Sequence, residues 1–479
     1  MNFNKMNLDK KIITALDNLG YSTPSDVQRE AIPYLLDKKD VIVKSKTGSG
    51  KTAAFSIPAC EMVVTEESSV QVLILVPTRE LAIQVKEEIG NIGRLKKVRA
   101  CAIFGKMPYN DQIRELKQRV HVVVGTPGRV IDHIQRGTLD LSALKLMIID
   151  EGDKMLNMGF IDQIKDIFKA VPKERITALF SATIPEEIKA LGDTYMSSPV
   201  VMEVKAKLVN EGKINESYVK LEKHEKLKTL WKFLYAKNPE SALVFCNTKD
   251  EVKAIARLLK KEGIVTCEIH GDMKQTERMD VMKQFKNKEY KVMVATDLAA
   301  RGIHIDHIEL VVNYEVPMEQ DSYVHRIGRT GRAGKEGDAV TLVAPYEEKF
   351  LKSIEAYIER EIPKGEVPSD DVAKVCKSKF KESQRKMLAD RKVNKTKEVH
   401  KDVMKIHLTG GKKKKIRPLD IVGAMSNLKG MTGDDVGIID VQDGFSYVDI
   451  LNGKGNMVLK NNKEITIKGK KIRLTRAKN

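Results

Sequence analysis

The chain has 479 residues, room for about three domains, and at 42% hydrophobic content it can fill several cores. No apolar run nears the ~20 residues that cross a bilayer, and the opening MNFNKMNLDKK lacks the apolar stretch of a secretory signal. Five cysteines at 60, 101, 246, 267 and 376 form no CxxC pair, which points away from disulfides and zinc and toward a reducing cytoplasm. The net charge is +18, and it is unevenly spread. Residues 363–479 hold 28 Lys and Arg against 14 Asp and Glu, whereas 1–362 hold 56 against 52. A polyanion is the natural partner for so basic a last quarter.

In chain order, continuous apolar runs predict strands at 40–44 (DVIVK), 72–76 (VLILV), 121–125 (HVVVG), 146–150 (LMIID) and 178–182 (ALFSA). Val, Ile and Leu without polar alternation predict a parallel sheet covered on both faces. The pattern repeats at 242–246, 266–270, 291–296, 310–314 and 339–344, which predicts two successive doubly wound α/β domains with a seam near 200–215. Residues 363–402 are charged, with few side chains to bury, and predict a helical or flexible linker. Short strands and Gly turns at 405–411, 436–444, 445–451 and 470–476 predict a small α+β domain. The expected domains are 1–205, 206–362 and 403–479, joined by the linker 363–402.

The first predicted strand runs into SKTGSGKT (45–52), the end of the pattern G-x-x-x-x-G-K-[ST], with Ser45 in the first Gly position. Backbone N–H groups of Thr47, Gly48, Ser49, Gly50 and Lys51 would cradle phosphates, with Lys51 on the β/γ oxygens and Thr52 on Mg²⁺. The strand LMIID ends on Asp150 and Glu151, with Asp153 close behind. Carboxylates at the end of a buried strand must be neutralised or used. A P-loop about a hundred residues upstream supplies the reason, with Asp150 serving the metal shell and Glu151 polarising or deprotonating a water.

Six further segments occur in order: PTRELAIQ (77–84), TPGR (126–129), DEGD (150–153), SAT (181–183), ATDLAARG (295–302) and HRIGRTGR (325–332). With GYSTPSDVQ (20–28), this ordered set resembles the DEAD-box RNA helicases over roughly residues 3–362. The resemblance implies two tandem RecA-like domains, ATP and Mg²⁺ as cofactors, and Phe3 and Gln28 at the adenine. It implies that Arg329 and Arg332 act as arginine fingers, and that Asp153, Ser181, Thr183 and His325 couple hydrolysis to movement. It also implies backbone contacts to RNA from Pro77, Thr78, Arg79, Thr126, Pro127, Gly128, Arg129, Gln275, Arg278 and Thr296. The chain departs from that pattern in three places. Gly152 stands for Ala, Phe104-Gly105-Lys106 replaces a Gly-Gly pair, and His304 replaces an Asp, with Asp306 two residues on.

DGFSYVDI (443–450) partly matches the RNP1 pattern of RRM domains, and His407 occupies the RNP2 aromatic place. Phe445 and Tyr447 share one face of a strand, and the sequence leaves open whether that face meets bases or the core. GGKKKKIRPLDIVGA (410–424), with DVGIIDV and ILNGKG, resembles the C-terminal domain of the DbpA (YxiN-like) group. That group uses an atypical RRM to bind a hairpin of large-subunit rRNA. The resemblance implies a small RRM-like domain, with Lys412, Lys413, Lys414, Lys415 and Arg417 on phosphates and Tyr447 on RNA.

The expected function is an ATP-dependent RNA helicase, tethered by its C-terminal RRM, that remodels 23S rRNA during ribosome assembly. The expected partners are a 23S rRNA hairpin and pre-50S particles. No membrane and no obligate protein partner are expected, and the chain is expected to be a cytoplasmic monomer. The competing expectations are a non-enzymatic ATP-gated RNA clamp and a DNA-directed enzyme.

Overall fold

The structure, a computed structural model, describes residues 2–45, 49–204, 214–300, 308–331, 336–393 and 402–477. Thr47, Gly48, His304, Asp306 and Arg332 lie outside the described residues. The chain forms two compact units, one of residues 1–204 with 396–479 and the other of 205–395.

Residues 1–204 carry a seven-stranded parallel sheet. Its order is Ala100–Ile103, Val122–Gly125, Val72–Leu75, Leu146–Asp150, Ile176–Ser181, Val41–Lys44 and Val200–Glu203. Continuous apolar runs are needed because both faces are covered. Val41, Val43, Ile74 and Ile148 belong to one buried cluster, whereas Ile42, Leu73, Leu75 and Ile149 belong to another. Alternate residues of one strand therefore feed opposite cores.

Residues 214–362 repeat the plan with six parallel strands. Their order is Thr266–Ile269, Val292–Ala295, Ala242–Phe245, Leu310–Asn313, Gly337–Val343 and Ile214–Lys220. Again Val244 and Val312 face one cluster, and Phe245 and Val311 the other. The fold is thus two parallel-sheet RecA-like domains followed by a small third domain.

That third domain is a five-stranded antiparallel sheet ordered Val436–Val441, Ser446–Ile450, Met404–Leu408, Lys470–Arg476 and Glu464–Ile467. Helices Pro418–Ser426 and Gly455–Asn461 are packed with it, around Ile406, Val448, Ile450 and Ile472. Between the second and third domains, Asp370–Val393 is one helix packed on Lys226–Lys237. Among the described residues, no helix is long and apolar enough to cross a membrane.

Candidate active site

The P-loop strand Val41–Lys44 lies beside Ile176–Ser181, which lies beside Leu146–Asp150. All three are parallel, so three motifs emerge together at the carboxyl edge of the sheet, where open α/β sheets place their ligands. Lys51 and Thr52 open the helix Lys51–Met62. Gly50 before them has φ 94°, and a Cβ there would sit 2.7 Å from Nε2 of Gln28 and 2.8 Å from Oγ of Ser25. Only glycine fits that close approach. Gln28 spans the gap, with its Oε1 accepting from the Ser25 N–H at 2.9 Å and its Nε2 donating to the Gly50 carbonyl at 3.1 Å. Gln28 and the phosphate loop are therefore in direct contact. Phe3 belongs to the core of this domain, edge-on to Tyr21 with ring centroids 6.4 Å apart.

The buried Lys51 ammonium donates to the Ser45 carbonyl at 3.0 Å, and the Ser45 and Ser49 hydroxyls are 2.7 Å apart. Burial pushes the Asp150 carboxyl up to about 6, with the nearby Lys51 charge pulling it the other way. Glu151 takes a left-handed backbone (φ 55°, ψ 49°), a conformation that costs a non-glycine residue ~1–2 kcal/mol. Its N–H donates to Oδ1 of Asp150 at 2.9 Å, and its Oε1 accepts from Lys154 at 2.7 Å. Strain at such a position accompanies a side chain that must point one way. Two residues on, Asp153 Oδ2 accepts from the Thr183 N–H at 2.9 Å and from its hydroxyl at 3.0 Å. The Asp153 N–H donates to the Ser181 hydroxyl at 3.0 Å. Motifs 150–153 and 181–183 are thus tied in one hydrogen-bonded pair of loops.

In the second domain, Arg329 is buried after the helix Gln320–Ile327, and Arg326 beside it is only 1% exposed. Arg326 grips both oxygens of Asp297 at 2.6 Å, Oδ1 of Asn247 at 2.8 Å and the Glu315 carbonyl at 2.7 Å. It binds the segment 295–302 to the segment 325–332, and sequence reasoning missed both it and Asp297. The signal was the first arginine of HRIGRTGR. His325 lies 3.9 Å from Asp321 on the same helix. Arg278 donates to the Ala299 carbonyl at 3.3 Å, which brings it to the same segment as Thr296. Gln275 opens the helix that carries Arg278.

On the first domain, Thr78 after Pro77 caps the helix Arg79–Ile92, its hydroxyl accepting from the Leu81 N–H at 3.3 Å. Thr126, Pro127, Gly128 and Arg129 begin the helix Pro127–Gln135. Arg129 donates to the Met107 carbonyl at 3.0 Å and lies 4.0 Å over the Tyr109 ring, with Arg136 4.2 Å from the same ring. Lys106 keeps the left-handed backbone that a glycine would adopt, at φ 61°.

The third domain settles which way its aromatics point. Val448 and Ile450 are core, while His407, Phe445 and Tyr447 form a trio on the other face with centroids 5.3–5.5 Å apart. Phe445 is 37% exposed. On that same face, Arg94 of the first domain donates to both oxygens of Asp449 at 3.2 Å. Lys412–Lys414 form one turn of 3₁₀ helix and Lys415 follows at φ 56°. Gly411 permits this, since a Cβ there would lie 2.1 Å from the Gln442 carbonyl. Lys412, Lys413, Lys415 and Arg417 are exposed. Lys468 and Lys470 donate to the carbonyls of Lys415 and Lys414 at 3.2 and 3.0 Å, adding two cations that the run of four did not reveal.

A lysine at a strand-to-helix phosphate turn, with a metal-type carboxylate and a second carboxylate two strands away, is the apparatus of a nucleoside triphosphatase. Set on the first of two RecA-like sheets, it defines the helicase class. The DEAD/DEAH box helicase family matches residues 25–191, the helicase conserved C-terminal domain 225–334, and the DbpA RNA binding domain 405–476. Over 478 residues, 99% of both chains, this protein is 48% identical to the ATP-dependent RNA helicase DbpA of Bacillus subtilis (strain 168). It is 44% identical to the ATP-dependent RNA helicase CshA of Listeria monocytogenes, over 78% of this chain and 71% of that one. Its fold is also similar to Saccharomyces cerevisiae Dbp5 bound to RNA and ADP BeF3, with TM-score 0.69 and 30% identity, covering 81% of this chain and 99% of that one. The chain belongs to the DEAD-box ATP-dependent RNA helicases, which are RNA-stimulated ATPases, and it carries a DbpA-type RNA-binding domain.

Proposed function

We propose that this helicase locally unwinds or remodels large-subunit (23S) rRNA during ribosome assembly, held to a hairpin of that RNA by residues 403–479. The observation that carries this reading is the small domain itself. It offers an aromatic trio on the sheet face opposite its core and a separate exposed basic loop, within a segment matched by the DbpA RNA binding domain. Aromatic faces stack on unpaired bases, while the lysines and Arg417 meet phosphates. The protein acts in the cytoplasm as a monomer on pre-50S particles.

In the ATP site, Lys51 and the P-loop amides hold the phosphates, and Gln28 and Phe3 serve the adenine. Arg329 and Arg332 bring positive charge to the γ-phosphate, and Glu151 orients the attacking water and takes its proton. A buried carboxylate held well above its ordinary range fits a divalent cation. Thr52 and, through water, Asp150 would hold the ion, which supplies charge neutralisation for the phosphate oxygens. RNA backbone is gripped by Pro77–Arg79, Thr126–Arg129, Gln275, Arg278 and Thr296.

Deleting 405–479 tests the reading. ATPase stimulated by unrelated RNA should persist while preference for a 23S fragment disappears. If the preference survives the deletion, the specificity belongs to the RecA-like domains.

A further inference from the structure

The Asp370–Val393 helix is rich in Lys and Arg, yet one face of it is buried. Ala373, Cys376, Lys377, Phe380, Ser383 and Gln384 recur at helical spacing, and none of them is exposed. Phe380, 1% exposed, packs edge-on against Tyr235 at 5.3 Å. Gln384 pairs with the backbone of the second domain, its Oε1 accepting from the Val265 N–H and its Nε2 donating to the Gly263 carbonyl, both at 2.8 Å. Lys291, 2% exposed, lies 4.6 Å over the Phe380 ring and donates to Ser383 at 2.7 Å and Asn238 at 3.2 Å. Burial lowers its ammonium to about 8, as expected of a lysine closed over by the helix. A linker needing only reach would leave these groups in water.

We infer that this helix is a built anchor, with Phe380, Gln384 and Lys291 as positioning residues that fix the RNA-binding domain's leash to the second RecA-like domain. The inference rests on the proposed role of the small domain in holding RNA. With the helix docked, only residues 394–403 separate it from the first strand of the small domain at Met404, a reach of at most ~35 Å. Undocked, the leash would run from Pro368 to Val403, between three and four times longer. Effective concentration falls roughly as the −3/2 power of linker length, so release of the anchor should weaken delivery of tethered RNA about sevenfold.

The test uses the full chain carrying Phe380→Asp and, separately, an otherwise unchanged chain with about twenty Gly/Ser residues inserted after Lys395. Steady-state ATPase is measured with a 23S rRNA fragment and with poly(U), and amide exchange reports whether the helix has left its seat. Both variants should raise KM for the fragment about three- to tenfold. The values for poly(U), and kcat with either RNA, should stay within twofold. Loss of protection along 370–393 should appear in Phe380→Asp alone. An unchanged KM for the fragment in the insertion variant would overturn the anchor, and lowered thermal stability in Phe380→Asp would then make the helix a mere cover for the domain. If removing 405–479 also left that KM unchanged, the RNA-holding role of the small domain would fall and the anchor with it. A KM raised by the deletion but not by the insertion would overturn the anchor alone.

Discussion

In the proposed mechanism Glu151 is the residue on which turnover depends most directly, and its geometry is unusual for its type. It takes a left-handed backbone at the end of a fully buried strand, held by its own N–H on Asp150 and its carboxylate on Lys154. Glu151→Gln keeps the shape and hydrogen bonding while removing the base. It should lower kcat by at least ~100-fold, the usual scale of general-base loss, with ATP and RNA still bound. Turnover within tenfold of the parent would remove Glu151 from that role. The neighbouring Gly152 stands where the DEAD-box pattern has Ala. A Cβ there would meet Ile188, Leu179 and Ser181 at 3.5–3.8 Å, ordinary contact distances. Gly152→Ala should therefore leave kcat within twofold and stabilise the first turn of its helix by up to ~1 kcal/mol, seen as an unchanged or raised Tm.

Among elements, the strands that the sequence did not reveal share one property. Ala100–Ile103, Val200–Glu203, Ile214–Lys220 and Glu464–Ile467 all lie at the edge of their sheets. An edge strand pairs on one side and is partly wet, so it needs no continuous apolar run, and INESYVK shows none. The interior strands of the two parallel sheets, buried on both faces, were legible because burial dictates their composition. The site divides in the same way. The P-loop, Asp150 and the arginines of 325–332 are local patterns, whereas the Arg326 grip on Asp297 and Asn247 joins segments 29 and 79 residues apart. The docked face of 370–393 was concealed by the charge on its other side. One element also carries a pH signature. His121 precedes the strand Val122–Gly125, is 2% exposed, and accepts the Arg99 N–H at Nδ1. Burial foremost, then Arg119 and Arg99, lowers its pKa from 6.5 to about 4. Between those values the unfolded chain binds more protons than the folded one, so stability is lost as pH falls from about 6.5 to 4. The loss should reach about 1–2 kcal/mol after allowing for partial solvent screening. Replacing His121 with Asn should flatten that part of the Tm–pH curve, and an unchanged slope would assign it to other groups.

At the scale of the whole molecule, the proposed function combines a general motor with an address. The core contacts proposed above come from turns and helix starts, which would meet backbone rather than base edges and would suit RNA of any sequence. The excess positive charge lies instead in the last quarter, which includes the basic loop and the aromatic trio. The most direct test of that division is ATP hydrolysis by the intact protein with no RNA, with unrelated duplex RNA, and with a 23S rRNA fragment. The account predicts little hydrolysis without RNA, modest stimulation by the duplex, and a KM for the fragment at least tenfold lower. Equal stimulation by both RNAs would contradict it, leaving a helicase whose basic C-terminal domain carries no address.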